Sequence, residues 1–178
     1  MRRLMLLRHA KTEHDAPSGR DQDRRLDNHG RHDAAEIGRF IGRNPPFPDL
    51  VLVSHAVRAH QTWEIAWEAM KELAPAPQVE LTPELYGADV SQLLETIRNA
   101  SVSDPKRLML VGHNPGMEVC AGILARDPVK RKEKDALGAL EEKFPTCALA
   151  ILDFDLKRWR DIEPRTGVLI DFVRPRDL

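Results

Sequence analysis

The sequence predicts a three-layer α/β/α fold in which helices cover both faces of a mostly parallel central sheet. Apolar runs of strand length begin near Arg3, Leu50 and Leu108, and segments with helical spacing lie between them. This alternation is typical of parallel sheets, because each crossover helix packs back onto the sheet. Apolar segments near the end of the chain predict that the last strands extend the sheet in antiparallel fashion.

The chain length favours one domain, and the two cysteines indicate a reducing compartment. A chain of 178 residues can bury a full core without disulfides or a structural metal. Cys120 and Cys147 each lie inside an apolar stretch, which indicates buried thiols in a reducing compartment rather than a disulfide. We therefore expect residues 1–178 to form a single domain.

The charge balance argues against two classes of partner. The 27 basic and 28 acidic residues are interspersed, and the formal net charge is -1. Such a balance favours neither nucleic acid nor an anionic membrane as a partner. The N-terminal apolar run, residues 4–7, is too short for a signal-peptide core or a membrane-spanning helix. The sequence thus predicts a cytoplasmic protein in which any anion site is local.

The first half of the chain carries recognisable start and stop signals. Asp27 or Asn28 can cap a first helix with an apolar stripe, and the segment 44–46 (NPP) stops it. A second helix is expected from near Ala56 towards Leu73, because small and apolar residues recur there at helical spacing. Two prolines then break the chain before a short strand at residues 78–81.

The second half continues the alternation. A loop at residues 82–87 (TPELYG) leads to a third expected helix. This third helix is expected at 89–99, and the remaining expected elements are a helix at 116–125, a strand at 147–154, and a terminal hairpin built from 157–162 and 167–173. The densely charged segment 127–143 is expected to be a solvent-exposed loop or a helix, and it contains no motif that indicates a functional role.

Arginines and histidines follow the predicted strands at the points where those strands end. Arg8 and His9 follow the first strand, Arg58 lies shortly after the second, and His113 follows the third. Since the carboxyl ends of parallel strands meet at one edge of a sheet, these four side chains are expected in one pocket. Two arginines can hold an anion and two imidazoles can attack or transfer a proton, so the pocket suits a phosphoryl group.

Each of these residues fits a step of phosphoryl transfer. Arg8 and Arg58 offer charged, forked donors that match phosphate oxygens, and Thr12 is a further candidate for phosphate binding. His9 is the candidate nucleophile, because a neutral imidazole nitrogen can attack phosphorus and form a phosphohistidine intermediate. His113 is the candidate donor that binds the phosphate and stabilises charge in the transition state.

The same residues resemble the signature of the histidine phosphatase superfamily, an Arg-His pair after the first strand with a second Arg and a second His downstream. Within that superfamily, the Arg-His-Ala form at Arg8, the segment 54–62 (SHAVRAHQT) and the turn 112–116 (GHNPG) are similar to SixA-type phosphohistidine phosphatases. The similarity spans roughly residues 3–152. It implies a phosphoglycerate mutase-like fold, the same role for His113, and a metal-independent enzyme without a cofactor.

Two carboxylates are candidates for a general acid at the predicted site. Enzymes of the superfamily that cleave alkyl phosphates usually place a carboxylic acid near the pocket to protonate the departing alkoxide. Here Glu84 is the first candidate and Asp89 the second. SixA-type enzymes are similar to this chain in lacking a clear acid, and a phosphorylated imidazole has a better leaving group. The sequence therefore favours a phosphohistidine substrate.

Three functions stay open at this point. The leading hypothesis is a phosphatase acting on a phosphorylated protein, such as a histidine phosphotransfer domain, through an intermediate on His9. The nearest alternative is a phosphatase for small phosphoesters that uses Glu84 or Asp89 as the acid. The third is a catalytically silent phosphoprotein-binding module, against which the presence of both histidines argues. No metal ligand set is predicted, because His29 and His32, one helical turn apart, have no evident third partner.

Overall fold

The computed structural model describes residues 1–178 and contains one six-stranded sheet with the order β3-β2-β4-β1-β5-β6. The strands are β1 (Arg2–Arg8), β2 (Leu50–Val53), β3 (Gln78–Leu81), β4 (Arg107–Gly112), β5 (Leu149–Phe154) and β6 (Val168–Val173). The first four strands pair in parallel, and β5 and β6 join in antiparallel fashion. The predicted mostly parallel sheet with antiparallel C-terminal strands is confirmed.

Helices cover both faces of this sheet. They are α1 (Asn28–Arg43), α2 (Val57–Met70), α3 (Val90–Asn99), α4 (Gly116–Leu124) and α5 (Arg131–Glu142). The predicted three layers are thus present, and the segment 127–143 is largely the helix α5. None of the helices combines the length and the apolar character needed to cross a lipid bilayer.

The sheet separates two cores because alternate residues of a strand face opposite sides. In β1, Met5 and Leu7 pack with α1 and α2, whereas Leu4 and Leu6 pack with α3, α4 and α5. All four side chains are at most 2% exposed. The central strands are buried on both faces, so they read as continuous apolar runs, as parallel strands usually do.

Side-chain caps begin two of the helices, and the cap of α1 is the one that the sequence predicted. The Asp27 carboxylate accepts a hydrogen bond of 2.7 Å from the Gly30 amide at the start of α1. Asp89 caps α3 in a reciprocal capping box with Gln92. Helix α1 ends at Arg43, and Asn44 separates it from the two prolines. Both caps satisfy amides that would otherwise lack a partner in the first turn.

One predicted element is wrong. Residues 157–162 do not form a strand of a terminal hairpin; they contain a short 3₁₀ turn, Trp159–Asp161. The strand β6 pairs instead with β5, with Leu149 opposite Val173. The reason is tertiary packing. The fully buried Trp159 indole donates a 2.6 Å hydrogen bond to the Pro105 carbonyl and anchors this segment next to the residues that precede β4. Trp159 and Ile162 are the two apolar residues of this segment, they lie three positions apart, and both are buried.

Candidate active site

The pairing of β1 with β4 brings the two predicted histidines together. Arg8 lies opposite Gly112 in the parallel register, so the next residue of each strand enters the same edge of the sheet. The His9 amide donates a 3.0 Å hydrogen bond to the Gly112 carbonyl. The centroids of the His9 and His113 rings are 5.3 Å apart, and each residue is only 9% exposed.

His9 is held in the tautomer that a nucleophile requires. Its Nδ1 lies 2.7 Å from the Ala10 carbonyl oxygen, and since that oxygen can only accept, Nδ1 carries the proton. The second ring nitrogen, Nε2, keeps its lone pair. Burial lowers the His9 pKa to about 3, and His113, Arg58 and Arg8 add smaller contributions of the same sign. The imidazole is therefore neutral at pH 7.

Each arginine of the pocket is anchored by part of its guanidinium. Arg8 Nη1 donates to the Phe144 carbonyl at 3.0 Å. Arg58, in the first turn of α2 and 7% exposed, donates from Nη1 to the Asp21 carbonyl and from Nη2 to the Asp21 carboxylate, at 2.9 and 3.0 Å. In both arginines the buried Nε has no hydrogen-bond partner within the protein.

His113, like the two arginines, has one nitrogen that is anchored and one buried nitrogen that has no partner. Its Nε2 is 2.7 Å from the hydroxyl of Ser54 at the end of β2, and its buried Nδ1 has no partner within the protein. Burial lowers the His113 pKa to about 4, with Arg58 as the next cause, while the Asp21 carboxylate opposes the shift. His113 is therefore also neutral at pH 7.

Three buried side-chain atoms in the whole protein lack a hydrogen-bond partner, and all three belong to predicted site residues: Arg8 Nε, Arg58 Nε and His113 Nδ1. Buried polar groups are almost always paired, so such a cluster calls for an explanation. Two positive N–H groups and one imidazole nitrogen beside the neutral His9 ring are suited to hold a tetrahedral anion, and we call these three groups the cradle.

Asp21 belongs to this site, although no pattern in the sequence pointed to it. Its carboxylate accepts hydrogen bonds from Arg58 and Arg24, and from the Tyr86 hydroxyl at 2.7 Å. These bonds, the one from Tyr86 first, hold its pKa well below the usual range. The Tyr86 ring also lies edge-on to His113 at 5.5 Å. Asp21 thus orients Arg58 and ties two loops together at the pocket.

The other three predicted site residues lie differently. The Thr12 hydroxyl accepts from Arg24 and contacts none of the four central residues through a hydrogen bond. Asp89 uses its carboxylate to cap α3. Glu84 lines a separate cavity of about 370 Å³ on the side of β2 and α3. Neither carboxylate hydrogen-bonds to the cradle, so a general-acid role for Glu84 or Asp89 stays a prediction.

A buried threonine joins the nucleophile loop to the arginine helix. Thr62 Oγ1 accepts from the Ala10 amide at 2.9 Å and donates to the Arg58 carbonyl at 2.6 Å. Thr62→Val keeps the shape but leaves a buried amide unpaired, so we expect a loss of about 1–3 kcal/mol of unfolding free energy in urea denaturation. The matched control is Thr96→Val, where the half-buried Thr96 hydroxyl makes the same backward bond, to Gln92 on α3. Equal losses in both variants would contradict the expectation.

The two neutral histidines predict a dependence of stability on pH. Unfolded, each would titrate near 6.5; folded, their pKa values are about 3 and about 4. Between these values the unfolded chain binds more protons, so this contribution is complete above pH 6.5 and is lost as pH falls towards 4 and 3. The slope approaches about 1.4 kcal/mol per pH unit for each histidine.

Urea unfolding at pH 7 and at pH 5 measures this effect. The wild type is expected to lose more free energy between the two pH values than a variant carrying His9→Gln and His113→Gln. Comparison with the variant cancels the contributions of other titrating groups. Equal losses would show that the two imidazoles are not held neutral by the fold.

Fold and pocket together indicate a class of protein, an α/β/α enzyme that acts on phosphoryl groups, because two arginines and two histidines lie at the carboxyl edge of the sheet. The family model of the histidine phosphatase superfamily (branch 1) matches residues 4–93. The chain belongs to this superfamily and is of the SixA type. It is therefore a phosphatase.

Relatives cover almost the whole chain. An uncharacterised protein of Mycobacterium tuberculosis is 34% identical over 171 residues, which is 96% of this chain and 100% of the relative. An uncharacterised chloroplastic protein of Arabidopsis thaliana is 33% identical over 172 residues, 93% of this chain and 72% of the relative. The similarity thus extends well beyond the residues that the family model matches.

Solved structures show the same architecture. A protein of Nakamurella multipartitia assigned as the phosphohistidine phosphatase SixA superposes with a TM-score of 0.80 and 27% identity, covering 98% of this chain and 96% of that one. A protein of Agrobacterium tumefaciens with the same assignment gives a TM-score of 0.76 and 32% identity, covering 98% of both chains. The phosphoglycerate mutase-like histidine phosphatase fold is thereby confirmed.

Proposed function

We propose that this phosphatase removes the phosphoryl group from phosphohistidine in a protein, through an intermediate on His9. The observation that carries the proposal is the state of Asp21. This carboxylate is hydrogen-bonded to the pocket, but its three donors and lowered pKa keep it ionised. An ionised carboxylate cannot protonate a departing alkoxide, so the site suits a substrate whose leaving group departs without a carboxylic acid.

The reaction follows from the geometry of the cradle. The Nε2 lone pair of His9 attacks phosphorus in line, and the phosphorus–nitrogen bond to the substrate imidazole breaks with its electron pair going to the departing ring. The other nitrogen of that ring carries a proton, so the ring departs as a neutral imidazole. The N–H groups of Arg8, Arg58 and His113 balance the charge on the equatorial oxygens. Water then attacks the phosphoryl group on His9, which releases inorganic phosphate and restores the neutral imidazole.

The proposal includes the partner and the absence of a metal requirement. A phosphorylated protein, such as a histidine phosphotransfer domain, presents its imidazole to the pocket, and residues 1–178 act as a single domain. Arg8 and Arg58 supply the positive charge that a metal ion supplies in other phosphatases. The same names given to the Nakamurella and Agrobacterium proteins support the choice of substrate.

The test compares two substrates in the presence of EDTA. Phosphate release from a phosphohistidine-bearing phosphotransfer protein and from para-nitrophenyl phosphate is measured for the wild type, His9→Ala and Glu84→Gln. We expect the phosphoprotein to be the better substrate, with activity absent from His9→Ala and unchanged in Glu84→Gln. Loss of activity with EDTA would refute metal independence.

Two other outcomes would move the assignment. Turnover of the aryl ester alone, or a large loss in Glu84→Gln, would support a small-molecule phosphatase with Glu84 as its acid. Binding of phosphate without turnover of either substrate, and without label on His9, would support a silent phosphoprotein-binding module.

A further inference from the structure

Ser54 lies directly after β2 and contacts His113, the candidate hydrogen-bond donor to the phosphoryl group. It is fully buried, and its Oγ makes two hydrogen bonds. One joins it to His113 Nε2 at 2.7 Å, and the other is accepted from the Ala56 amide at 3.3 Å. No other group is within hydrogen-bond reach of this hydroxyl, so its proton and the proton of His113 must be assigned together.

The Ala56 amide can only donate, so Ser54 accepts there. If His113 Nε2 also donated to Ser54, the buried hydroxyl proton would have no acceptor, which proteins rarely tolerate. The arrangement that satisfies every group has the Ser54 hydroxyl donating to Nε2. In a neutral imidazole the remaining proton is then on Nδ1, the atom that lies in the cradle without a protein partner.

We propose that Ser54 is a positioning residue that fixes His113 as the Nδ1–H tautomer, so that this atom donates to the phosphoryl group. The inference rests on the proposed phosphoryl transfer for its consequence, and on the buried hydroxyl for its geometry. Ser54 acts through His113 and does not contact the substrate.

The tautomer matters because His113 is neutral. A protonated imidazole would donate from both nitrogens whatever its neighbours, but burial lowers the His113 pKa to about 4. With the opposite tautomer, the lone pair of Nδ1 would face the phosphoryl oxygens and repel them. The cradle would then hold the anion with the two arginines alone, and the charge that develops in the transition state would lose one donor.

Nitrogen-15 NMR of the histidine rings reads the tautomer directly. At pH 7, without any substrate, we expect His113 of the wild type to show a protonated Nδ1 and an unprotonated Nε2. In Ser54→Ala we expect a mixture of both tautomers. Ser54→Thr, which keeps the hydroxyl, is expected to keep the wild-type pattern. A wild-type spectrum with the proton on Nε2 would overturn the proposal, and this reading needs no variant to fold.

Anion binding and turnover supply the functional readout. Ser54→Ala is expected to bind inorganic phosphate roughly tenfold more weakly and to lose roughly tenfold in kcat/KM, whereas Ser54→Thr recovers most of both. Unchanged phosphate affinity in Ser54→Ala would overturn the proposal. Failure of every variant and of the wild type to cleave phosphohistidine would refute the proposed substrate instead, because the spectrum and the phosphate affinity do not depend on it.

Discussion

Replacing His9 with alanine is expected to lower turnover by about 10⁴-fold or more, since the variant lacks the atom that accepts the phosphoryl group. The remaining cradle still binds phosphate, because Arg8, Arg58 and His113 keep their partners. The measurement combines steady-state kinetics with mass spectrometry after an alkaline quench, in which the phosphoryl group on the wild-type imidazole survives. Wild type should carry one phosphoryl group on His9, and the variant none.

His60→Ala is the matched control for this experiment. His60 lies on α2 in the same half of the molecule, is partly exposed and pairs only with Glu64, so its removal is expected to leave turnover unchanged. A phosphoryl group found on another residue of the wild type, or near-normal turnover in His9→Ala, would exclude His9 as the nucleophile.

Replacing Arg8 with lysine is expected to lower kcat/KM by about 10² to 10³-fold although the charge is kept. A lysine has no Nε–H at the position of the guanidinium and cannot anchor on the Phe144 carbonyl while also donating to the anion. The cradle would lose one of its three free donors. Kinetics and the affinity for inorganic phosphate both measure this loss.

Arg3→Lys tests whether the effect is specific. Arg3 lies on the same strand and forms a two-point ion pair with Asp153, at 2.8 and 2.9 Å, away from the pocket. The change is expected to cost a little stability and no catalytic efficiency. Similar losses of kcat/KM in both lysine variants would mean that Arg8 serves the strand rather than the phosphate.

The convergence of the four central residues was predictable because it follows from topology. Once β1, β2 and β4 are parallel neighbours, the residues after each strand must reach one edge. Arg8, His9, Arg58 and His113 therefore meet even though more than a hundred residues separate the first from the last. The cap of α1 was equally readable, since Asp27 acts through a local hydrogen bond.

The parts that sequence reasoning missed depend on contacts between distant segments. Asp21 lies in a segment with many charged residues. Only the folded chain shows that Arg58 and Tyr86 donate hydrogen bonds to its carboxylate. The sequence does not distinguish Thr62 from other helix threonines, because its hydrogen bond from the Ala10 amide joins two distant segments. Trp159 shows the opposite failure, because its buried indole anchors a short 3₁₀ turn where the sequence predicted a strand.

Burial, more than charge, sets the chemistry of the pocket. Burial is the largest cause of the lowered His9 pKa, and Arg58 and Arg8 act in the same direction. Removing one arginine is expected to weaken phosphate binding without returning His9 to an ordinary pKa, because the ring stays enclosed.

The central claim is that Arg8 Nε, Arg58 Nε and His113 Nδ1 form one cradle for the transferred phosphoryl group. A crystal structure with bound inorganic phosphate tests it most directly. The anion is predicted within about 3 Å of all three nitrogens, with His9 Nε2 facing its central atom. Phosphate bound elsewhere, or held without these three nitrogens, would contradict the claim.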